Sequence, residues 1–334
     1  MSESEAGNDL SSLTDTERKK LVEQIYITFP RLNQVRSEIE HCHRYSKIAA
    51  EPECLLITGQ QGAGKTTLRL SYARQHPRQL RREGVSVPVL DASIPVPATV
   101  KSLVTQLLAA LGDPVPERGT IVTQTRRLKK LMHACKVELV VLDEFQHFID
   151  RDSNVVLITL SNWLKDLLNE TGTPMVLIGM PYADVILRAN SQLERRFAMR
   201  ASLDPFGWDG AEKQDEFRLF LSYLDSRLPL AKRSHLADPE RALRIYCACD
   251  GIIGYLMKLV RRSAEMAIDL KMECIEDDLL AIAYDERLRA RDPGRGNPFR
   301  VRIANLDPMQ KRTPESFPFG GKRHADVRAK DLLL

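Results

Sequence analysis

Apolar positions between residues 51 and 205 fall in short runs that alternate with longer stretches of helical spacing. The runs predicted to be strands are 54–58, 85–90, 137–142 and 174–179. Strands without polar alternation are buried on both faces, as in a parallel sheet covered by helices. Between them, apolar residues recur every three or four positions in 100–111 and 156–167, which predicts amphipathic helices. The zone 51–205 is therefore predicted to be α/β, a parallel sheet with helices on both faces.

The rest of the chain has no such strand pattern. In the N-terminal arm, 1–50, Pro30 can open a helix at its first turn, and apolar residues follow at helical spacing up to Cys42. Zone 206–290 carries helical patterns alone, which predicts a small all-helical module. Residues 291–334 combine Pro, Gly and basic residues without periodicity, which predicts a flexible tail. The tail either docks on a partner or DNA, or is a solvated disordered end.

Composition indicates a folded, water-soluble chain. Hydrophobic residues make up 43% and charged residues 28% of the 334 positions, which excludes wholesale disorder. No run reaches the roughly 18 to 20 apolar residues that cross a bilayer. The acidic start also lacks the basic and apolar regions of a signal peptide. We therefore expect a cytoplasmic protein with no membrane partner.

Positive charge is concentrated in two segments. Residues 287–334 hold twelve Lys and Arg against five Asp and Glu, and 118–136 holds six basic residues and no acidic one. Two local positive surfaces suggest an anionic partner. Solvation of a surface helix is the equally favoured alternative for each segment.

A phosphate-binding motif follows the first predicted strand. Residues 59–66 read GQQGAGKT and fit G-x-x-x-x-G-K-[ST], directly before a helical stretch that begins near Thr67. Glycines in such a loop let backbone N–H groups converge on phosphate oxygens. Lys65 would bring positive charge to the β and γ phosphates, and Thr66 would offer a hydroxyl to Mg²⁺. The motif predicts nucleotide binding.

Two carboxylates end the predicted strand 137–142. Asp143 should lie beside the loop, since α/β sheets bind ligands at the carboxyl ends of their strands, and would hold Mg²⁺ together with Thr66. Glu144 is expected to orient and deprotonate the attacking water. The two motifs predict ATP and Mg²⁺ as cofactors. The predicted nucleotide-binding residues are Gly59, Gly62, Ala63, Gly64, Lys65, Thr66, Thr67 and Asp143.

Arg195 and Arg196 follow the fourth predicted strand by about sixteen residues. Arginine stabilises charge that develops on a γ phosphate, often in the site of a neighbouring subunit. A surface ion pair with Glu194 or Asp204 is the alternative. The order of P-loop, Asp-Glu strand, further strand, arginine pair and helical module resembles AAA+ ATPases, in which a helical lid follows the nucleotide domain. That resemblance implies catalytic roles for Glu144, Arg196 and Arg195.

Several segments resemble the TniB/TnsC family of transposition AAA+ ATPases, over about residues 15–290. They are GQQGAGKTT, GTIVTQTRRLKKLMHACKVELVVLDEFQHF, VLIGMPYADVIL, QLERRF, LPLAKRSHL and DGIIGYLMKLVRRSA. The resemblance implies an ATP hydrolase that regulates CRISPR-associated or mercury-resistance-type transposons. It would form ATP-dependent rings or helical filaments on double-stranded DNA of any sequence. Its implied partners are further copies of the chain, a transposase and a TniQ-like target selector.

The same resemblance makes the basic helix after Thr120 a candidate for following the DNA backbone. On a helix from Ile121 to Cys135, Ile121 and other apolar residues can face the core while basic residues face away. Contacts to phosphates give affinity without base specificity. The candidate DNA-binding residues are Lys101, Arg118, Thr120, Arg126, Arg127 and Lys130.

One departure from the AAA+ pattern concerns the position after strand 174–179, where many AAA+ enzymes have a polar sensor. Gly179 and Met180 stand there, so no residue is assigned to sense the attacking water. Two other functions remain compatible with the motifs. One is a replication-type loader or initiator ATPase, and the other is an ATP-binding scaffold with negligible turnover.

Overall fold

The computed structural model describes residues 13–46, 48, 51–82, 84–149, 154–188, 190–291 and 294–309. The described chain divides into two units. One comprises 30–203, and the other joins the residues before Pro30 to those from Asp204 onward. The predicted arm, 1–50, is thus shared between the units, because the helix that begins at Pro30 packs against the sheet.

Strands and helices alternate in the first unit, whereas the second is helical. In chain order the strands are β1 (Leu55–Gly59), β2 (Gln79–Arg81), β3 (Gly84–Ser86), β4 (Val89–Ser93), β5 (Leu139–Asp143), β6 (Met175–Gly179) and β7 (Met199–Leu203). The α-helices are α1 (Asp15–Gln24), α2 (Pro30–Tyr45), α3 (Lys65–Gln75), α4 (Val100–Leu111), α5 (Ile121–Ala134), α6 (Asn154–Thr171), α7 (Val185–Arg188), α8 (Ser191–Arg196), α9 (Ala211–Arg227), α10 (Pro239–Cys249), α11 (Ile253–Asp269) and α12 (Asp277–Arg287).

The main sheet has the strand order β4-β5-β6-β1-β7, and all of its neighbours are parallel. The first strand lies between two others, with Leu55 opposite Val176 on one side and Met199 on the other. All residues of β5 and β6 are buried, which explains the absence of polar alternation in their sequences. The predicted parallel sheet is confirmed.

Two details of the sheet differ from the prediction. The predicted strand 85–90 is divided, because β3 pairs with β2 in an antiparallel hairpin while β4 joins the main sheet. Pro88 lies at the division, where it has no N–H to donate and its carbonyl accepts from the backbone N–H groups of Glu138 and Leu139. Strand β7 was not predicted, since it is an edge strand in which exposed and buried residues alternate over five positions.

The second unit packs α1 with α9 to α12. A capping box begins α1, in which Glu17 N–H donates to the hydroxyl of Thr14 and Thr14 N–H to the carboxylate of Glu17. Lys19 of α1 pairs with Asp269 of α11 at 2.5 Å. The all-helical prediction for this zone is confirmed. Within the described ranges no helix has the length and apolarity that a membrane crossing requires.

The first part of the predicted flexible tail, 291–334, is held by hydrogen bonds to the helices. Arg244 of α10 donates to the carbonyls of Pro298 and Val301, and Asn297 donates to the carbonyl of Ala281. A 3-10 turn follows at Ile303–Asn305. Residues 294–309 are therefore packed on the helical unit. The rest of the predicted tail lies outside the described residues.

Candidate functional site

The phosphate-binding loop joins β1 to α3. Its glycines are required for two different structural reasons. A Cβ at Gly59 would lie 2.6 Å from the carbonyl oxygen of Leu203, so β7 leaves no room for a side chain there. Gly62 and Gly64 have φ angles of 81° and 93°, in the left-handed region that glycine adopts without strain. Gly64 is also the N-cap of α3. The loop therefore points backbone N–H groups of the helix start at the space above β1.

The lysine of the motif is buried beneath this loop. The ammonium of Lys65 donates to the carbonyl oxygens of Gly59 at 2.7 Å and Gln60 at 2.9 Å. Burial lowers the pKa of Lys65, although the carboxylates of Glu144 and Asp143 act in the opposite direction. A desolvated cation beside a ring of N–H groups fits a phosphate, because the anion replaces its lost hydration.

Asp143, at the carboxyl end of β5, contacts the motif directly. Its Oδ2 accepts from the Thr66 hydroxyl at 2.8 Å, and its Oδ1 accepts from Glu144 N–H at 2.9 Å. A buried carboxylate beside a hydroxyl is an oxygen donor set that suits Mg²⁺, so these residues fit the predicted ion. Of the other predicted nucleotide-binding residues, Ala63 is buried within the loop, and Thr67 is exposed on α3.

Arg69 and Asp91 belong to this centre although no motif pointed to them. Arg69 Nε lies 3.3 Å from Asp143 Oδ2, and its Nη1 donates to Asp91 Oδ2 at 2.6 Å. The signals in the sequence were an arginine three positions after Thr66 on the same helix and a carboxylate inside an apolar strand. Arg69 thereby forms an ion pair with the Asp143 carboxylate while it is held by a second carboxylate, Asp91, on β4.

Glu144 follows β5 with a left-handed backbone, at φ 60°, and its side chain is partly exposed. The Gln146 amide donates to its Oε2. His147 Nε2 lies 3.8 Å from the same oxygen. Gln146 is the third residue of this centre that the motifs did not reveal, because its partners Glu144 and Met180 follow two different strands.

The arginine pair lies at the amino end of β1, opposite to the end that carries the phosphate-binding loop. Arg196 O accepts from Cys54 N–H at 2.9 Å, just before β1, whereas the phosphate-binding loop follows the end of β1. Glu51 is the carboxylate near both guanidinium groups, 3.3 Å from Arg195 and 3.5 Å from Arg196. A surface ion pair, the alternative considered from sequence with Glu194 or Asp204, is thus formed with Glu51. A cleft of about 540 Å³ beside the pair is lined by Lys165, Leu168, Asn169, Ser191, Gln192, Arg195 and Arg196.

The basic segment forms α5, capped by the hydroxyl of Thr120, which accepts from Thr123 N–H at 3.4 Å. Arg126 and Lys130 are exposed on this helix. Arg118, which precedes it, and Lys101, at the start of the packed helix α4, are exposed as well. The candidate cations of this region thus remain available to solvent, with one exception.

The exception is Arg127, whose guanidinium is bound to the chain itself. It pairs with the buried carboxylate of Asp113 and donates to the carbonyls of Val115, at 2.9 Å, and Arg118, at 3.2 Å. These contacts hold the loop between α4 and α5. The structure therefore gives Arg127 a role in positioning this loop.

The prediction that Ile121 faces the core is wrong at the first turn of α5. Ile121 is 41% exposed, and the buried position one turn later belongs to Gln124. The Gln124 amide donates to the hydroxyl of Thr105 at 3.1 Å and to the carbonyl of Pro116 at 2.8 Å. The helix start packs against oxygen atoms of Thr105 and the loop. A buried amide can donate hydrogen bonds to these oxygens, whereas an isoleucine cannot.

Three solved structures have a fold similar to that of this chain. The ORC2 protein of Aeropyrum pernix, in its ADPNP-ADP complexes, is 17% identical with TM-score 0.56, covering 80% of this chain and 71% of that chain. The ORC1 protein of the same organism, in complex with DNA, is 15% identical with TM-score 0.58, covering 82% and 70%. Cdc6p of Pyrobaculum aerophilum is 15% identical with TM-score 0.59, covering 81% and 71%.

These similarities, with the parallel sheet followed by a helical module, confirm the predicted P-loop AAA+ fold. Comparison with curated protein sequences gives no match. The model of one protein family, described as bacterial TniB protein, matches residues 18–206, which is more than half of the chain. The matched range includes the loop, Asp143, Glu144, the basic helix and the arginine pair. The chain therefore belongs to the bacterial TniB protein family.

Proposed function

We propose that the chain is a Mg²⁺-dependent ATP hydrolase that assembles on double-stranded DNA and regulates transposition. The observation that carries the hydrolase part is the contact of the Thr66 hydroxyl with the Asp143 carboxylate at 2.8 Å. It joins the helix behind the phosphate-binding loop to the strand that presents Glu144. Two motifs 77 residues apart thus form one centre.

In this proposal the triphosphate lies over the N-terminus of α3, where backbone N–H groups and Lys65 meet its charge. Thr66 and Asp143 would hold Mg²⁺, which when bound supplies positive charge beside the phosphates. Glu144, beside Asp143 and partly exposed, accepts the proton of the attacking water. The Glu144 side chain is partly exposed, so solvent water can reach it.

Arg196 and Arg195 act on a neighbouring copy. The loop and the arginines lie at opposite ends of β1, which are separated by roughly 16 Å for five extended residues. They therefore do not meet at one nucleotide within a chain. The basic cleft beside the arginines is open and would receive the phosphates bound by another subunit. ATP bound between copies would make assembly depend on the nucleotide.

DNA binding is assigned to the exposed cations of α5 and its surroundings. Arg126, Lys130, Arg118 and Lys101 would contact phosphates, which provides affinity for any sequence. Arg127 and Thr120 would act indirectly, by holding the loop and capping the helix on which the others stand. The similar ORC1 structure in complex with DNA agrees with an AAA+ fold used on DNA.

The role in transposition rests on the family. A TniB-type regulator would connect a target selector of the TniQ type to a transposase. The nucleotide state would then decide when the assembly on target DNA forms and when it is released.

Fluorescence anisotropy with duplex DNA and negative-stain microscopy test this proposal. Both are run with an ATP analogue, with ADP and without nucleotide. The expected result is assembly on unrelated DNA sequences with the ATP analogue alone, weakened by salt. A protein that stays monomeric and ignores DNA in every nucleotide state contradicts the assembly, and one that binds ATP without turnover contradicts the hydrolase.

A replication-type loader or initiator is the second candidate, favoured by the similarity to ORC and Cdc6 structures over most of the chain. An integrase-type transposase gene and flanking inverted repeats next to the gene for this chain support transposition. Replication genes in that place, with no stimulation of strand transfer by the protein, support the second candidate.

A further inference from the structure

Gln146 lies in the 3-10 turn Phe145–Phe148, directly after the candidate base. Its side chain is 6% exposed, and both ends of its amide are engaged. The nitrogen donates to Glu144 Oε2, and the oxygen accepts from Met180 N–H at 3.2 Å. The amide thus bridges the end of β5 to the end of β6 across the floor of the site.

The residue opposite explains why this bridge fits. A Cβ at Gly179 would lie 3.1 Å from Gln146 Oε1 and 3.0 Å from the Cβ of Ala183, closer than side chains normally pack. Any side chain at 179 would therefore press on the amide. The amide of Gln146, from the turn that follows β5, thus occupies the space at the end of β6 where many AAA+ enzymes carry a polar sensor.

The bridge acts on the orientation of the base. Glu144 has a left-handed backbone and a partly exposed side chain, so several rotamers of this side chain are sterically allowed. An amide donor on one carboxylate oxygen selects one of them and leaves the other oxygen to face the water. The Met180 contact in turn holds the amide in place, so the orientation of Glu144 is connected to β6.

We propose that Gln146 is a positioning residue for ATP hydrolysis, which holds the Glu144 carboxylate in line for the attacking water and replaces the polar sensor of β6. The inference rests on the proposed hydrolase function. It concerns the step of hydrolysis and does not concern the binding of nucleotide, since Gln146 touches neither the phosphate-binding loop nor Asp143 in the contacts described above.

The test compares Gln146→Met with the wild-type protein at saturating DNA and Mg²⁺. Methionine has a similar length and no amide. We expect kcat to fall at least about tenfold, because a misplaced base loses its alignment. The affinity for a fluorescent ATP analogue is expected to stay unchanged. Gly179→Ala should lower kcat in the same way, and the double variant should lose little more than either single one.

Gln124→Met is the matched control, since it also removes a buried amide with two hydrogen bonds in the same unit. It should lower Tm as Gln146→Met does and leave kcat nearly unchanged. Combining Gln146→Met with Glu144→Gln should not lower the residual rate further, because Gln146 works through Glu144.

The outcomes separate the two claims. If the wild-type protein turns ATP over and Gln146→Met keeps its kcat, or loses nucleotide affinity as much as kcat, the inference about Gln146 is wrong and the hydrolase remains. An additive further loss in the Glu144→Gln background also overturns it. If the wild-type protein binds ATP and does not hydrolyse it under any condition, the hydrolase proposal fails first and the inference falls with it.

Discussion

The backbone carbonyl of Arg196 accepts a hydrogen bond from Cys54 N–H at 2.9 Å, which fixes the candidate finger at the amino end of β1. The phosphate-binding loop leaves the carboxyl end of the same strand. This strand therefore sets the distance between the loop and the arginine, and under the proposed function a complete centre would need two copies of the chain.

Complementation between two inactive variants follows from that geometry. Lys65→Ala should lose nucleotide binding, and Arg196→Ala should lose about 10³-fold or more in turnover, as arginine fingers do. A mixture forms sites in which the loop of an Arg196→Ala chain meets the arginine of a Lys65→Ala chain. We expect the mixture to recover ATP turnover, measured by phosphate release.

Arg188→Ala is the control for this experiment, because Arg188 is an exposed arginine already paired with Asp184 at 2.7 Å. Its turnover should match that of the wild-type protein. A mixture that is no more active than its separate components would show that the arginine does not act between subunits.

The two adjacent carboxylates should have separable roles. Glu144→Gln should retain binding of an ATP analogue with Mg²⁺ and lose about 10²- to 10⁴-fold in kcat, since a base is removed from the step of proton transfer. Asp143→Asn should weaken binding in Mg²⁺ and change little in EDTA, because Asp143 and the Thr66 hydroxyl would hold the ion. Isothermal titration and phosphate release measure the two effects. Equal behaviour of both variants contradicts the division of roles.

Substitution of the neighbouring residues Arg126 and Arg127 on α5 should affect different properties, DNA affinity for the first and stability for the second. Arg126→Ala combined with Lys130→Ala should weaken duplex binding and reduce the slope of log K against log salt by about 2, with Tm unchanged. Arg127→Ala should lower the free energy of unfolding by about 1–3 kcal/mol, because it leaves the buried carboxylate of Asp113 without its cation.

Anisotropy at several salt concentrations and thermal melting are the measurements for these variants. At temperatures below its Tm, Arg127→Ala is expected to lose less DNA affinity than the variant that combines Arg126→Ala with Lys130→Ala. The reverse order, with Arg126 and Lys130 neutral for DNA, would remove α5 from the proposed DNA surface.

Thiol labelling tests the packing of both units. Five cysteines are buried, and Cys274 is partly exposed. Burial raises the pKa of Cys54 to about 12 and that of Cys247 to about 11, and raises that of Cys42 as well. These thiols stay neutral, and hence unreactive, at pH 8. A thiol reagent should modify Cys274 rapidly in the native protein and all six thiols after denaturation.

The same shifts give a direction to the pH dependence of stability. Unfolding returns these thiols to an ordinary pKa of about 8.5, so the unfolded state ionises first as the pH rises. Their contribution to stability is present below that value and is lost progressively toward the raised native pKa. Tm should therefore fall between pH 8 and 10. Rapid labelling of Cys54 in the native protein at pH 8 would contradict this packing.

The sequence by itself determined most of the local elements and the motifs of the candidate nucleotide site. A short apolar run without regular polar alternation is typical of a strand buried on both faces, so 137–142 was predictable as a strand of a parallel sheet. The motif at 59–66 was equally readable, because Gly64 must adopt a left-handed backbone and Lys65 and Thr66 follow in a fixed order. The family resemblance was carried by the same local segments, and residues 18–206 match that family.

What only the tertiary structure decided are contacts between residues far apart in the chain. Arg69 reaches Asp91 and Asp143 only after α3 has packed beside β4 and β5. Arg127 was interpreted as a free surface cation because its partner, Asp113, comes from a loop whose path no periodicity encodes.

Gln146 shows the same limit most clearly. Its position became meaningful once the parallel sheet placed the ends of β5 and β6 side by side, so that the space above Gly179 could hold its amide. Periodicity reports which face of an element is buried. The packing of neighbouring strands determines which polar group fills a particular gap, because that depends on distances across the sheet.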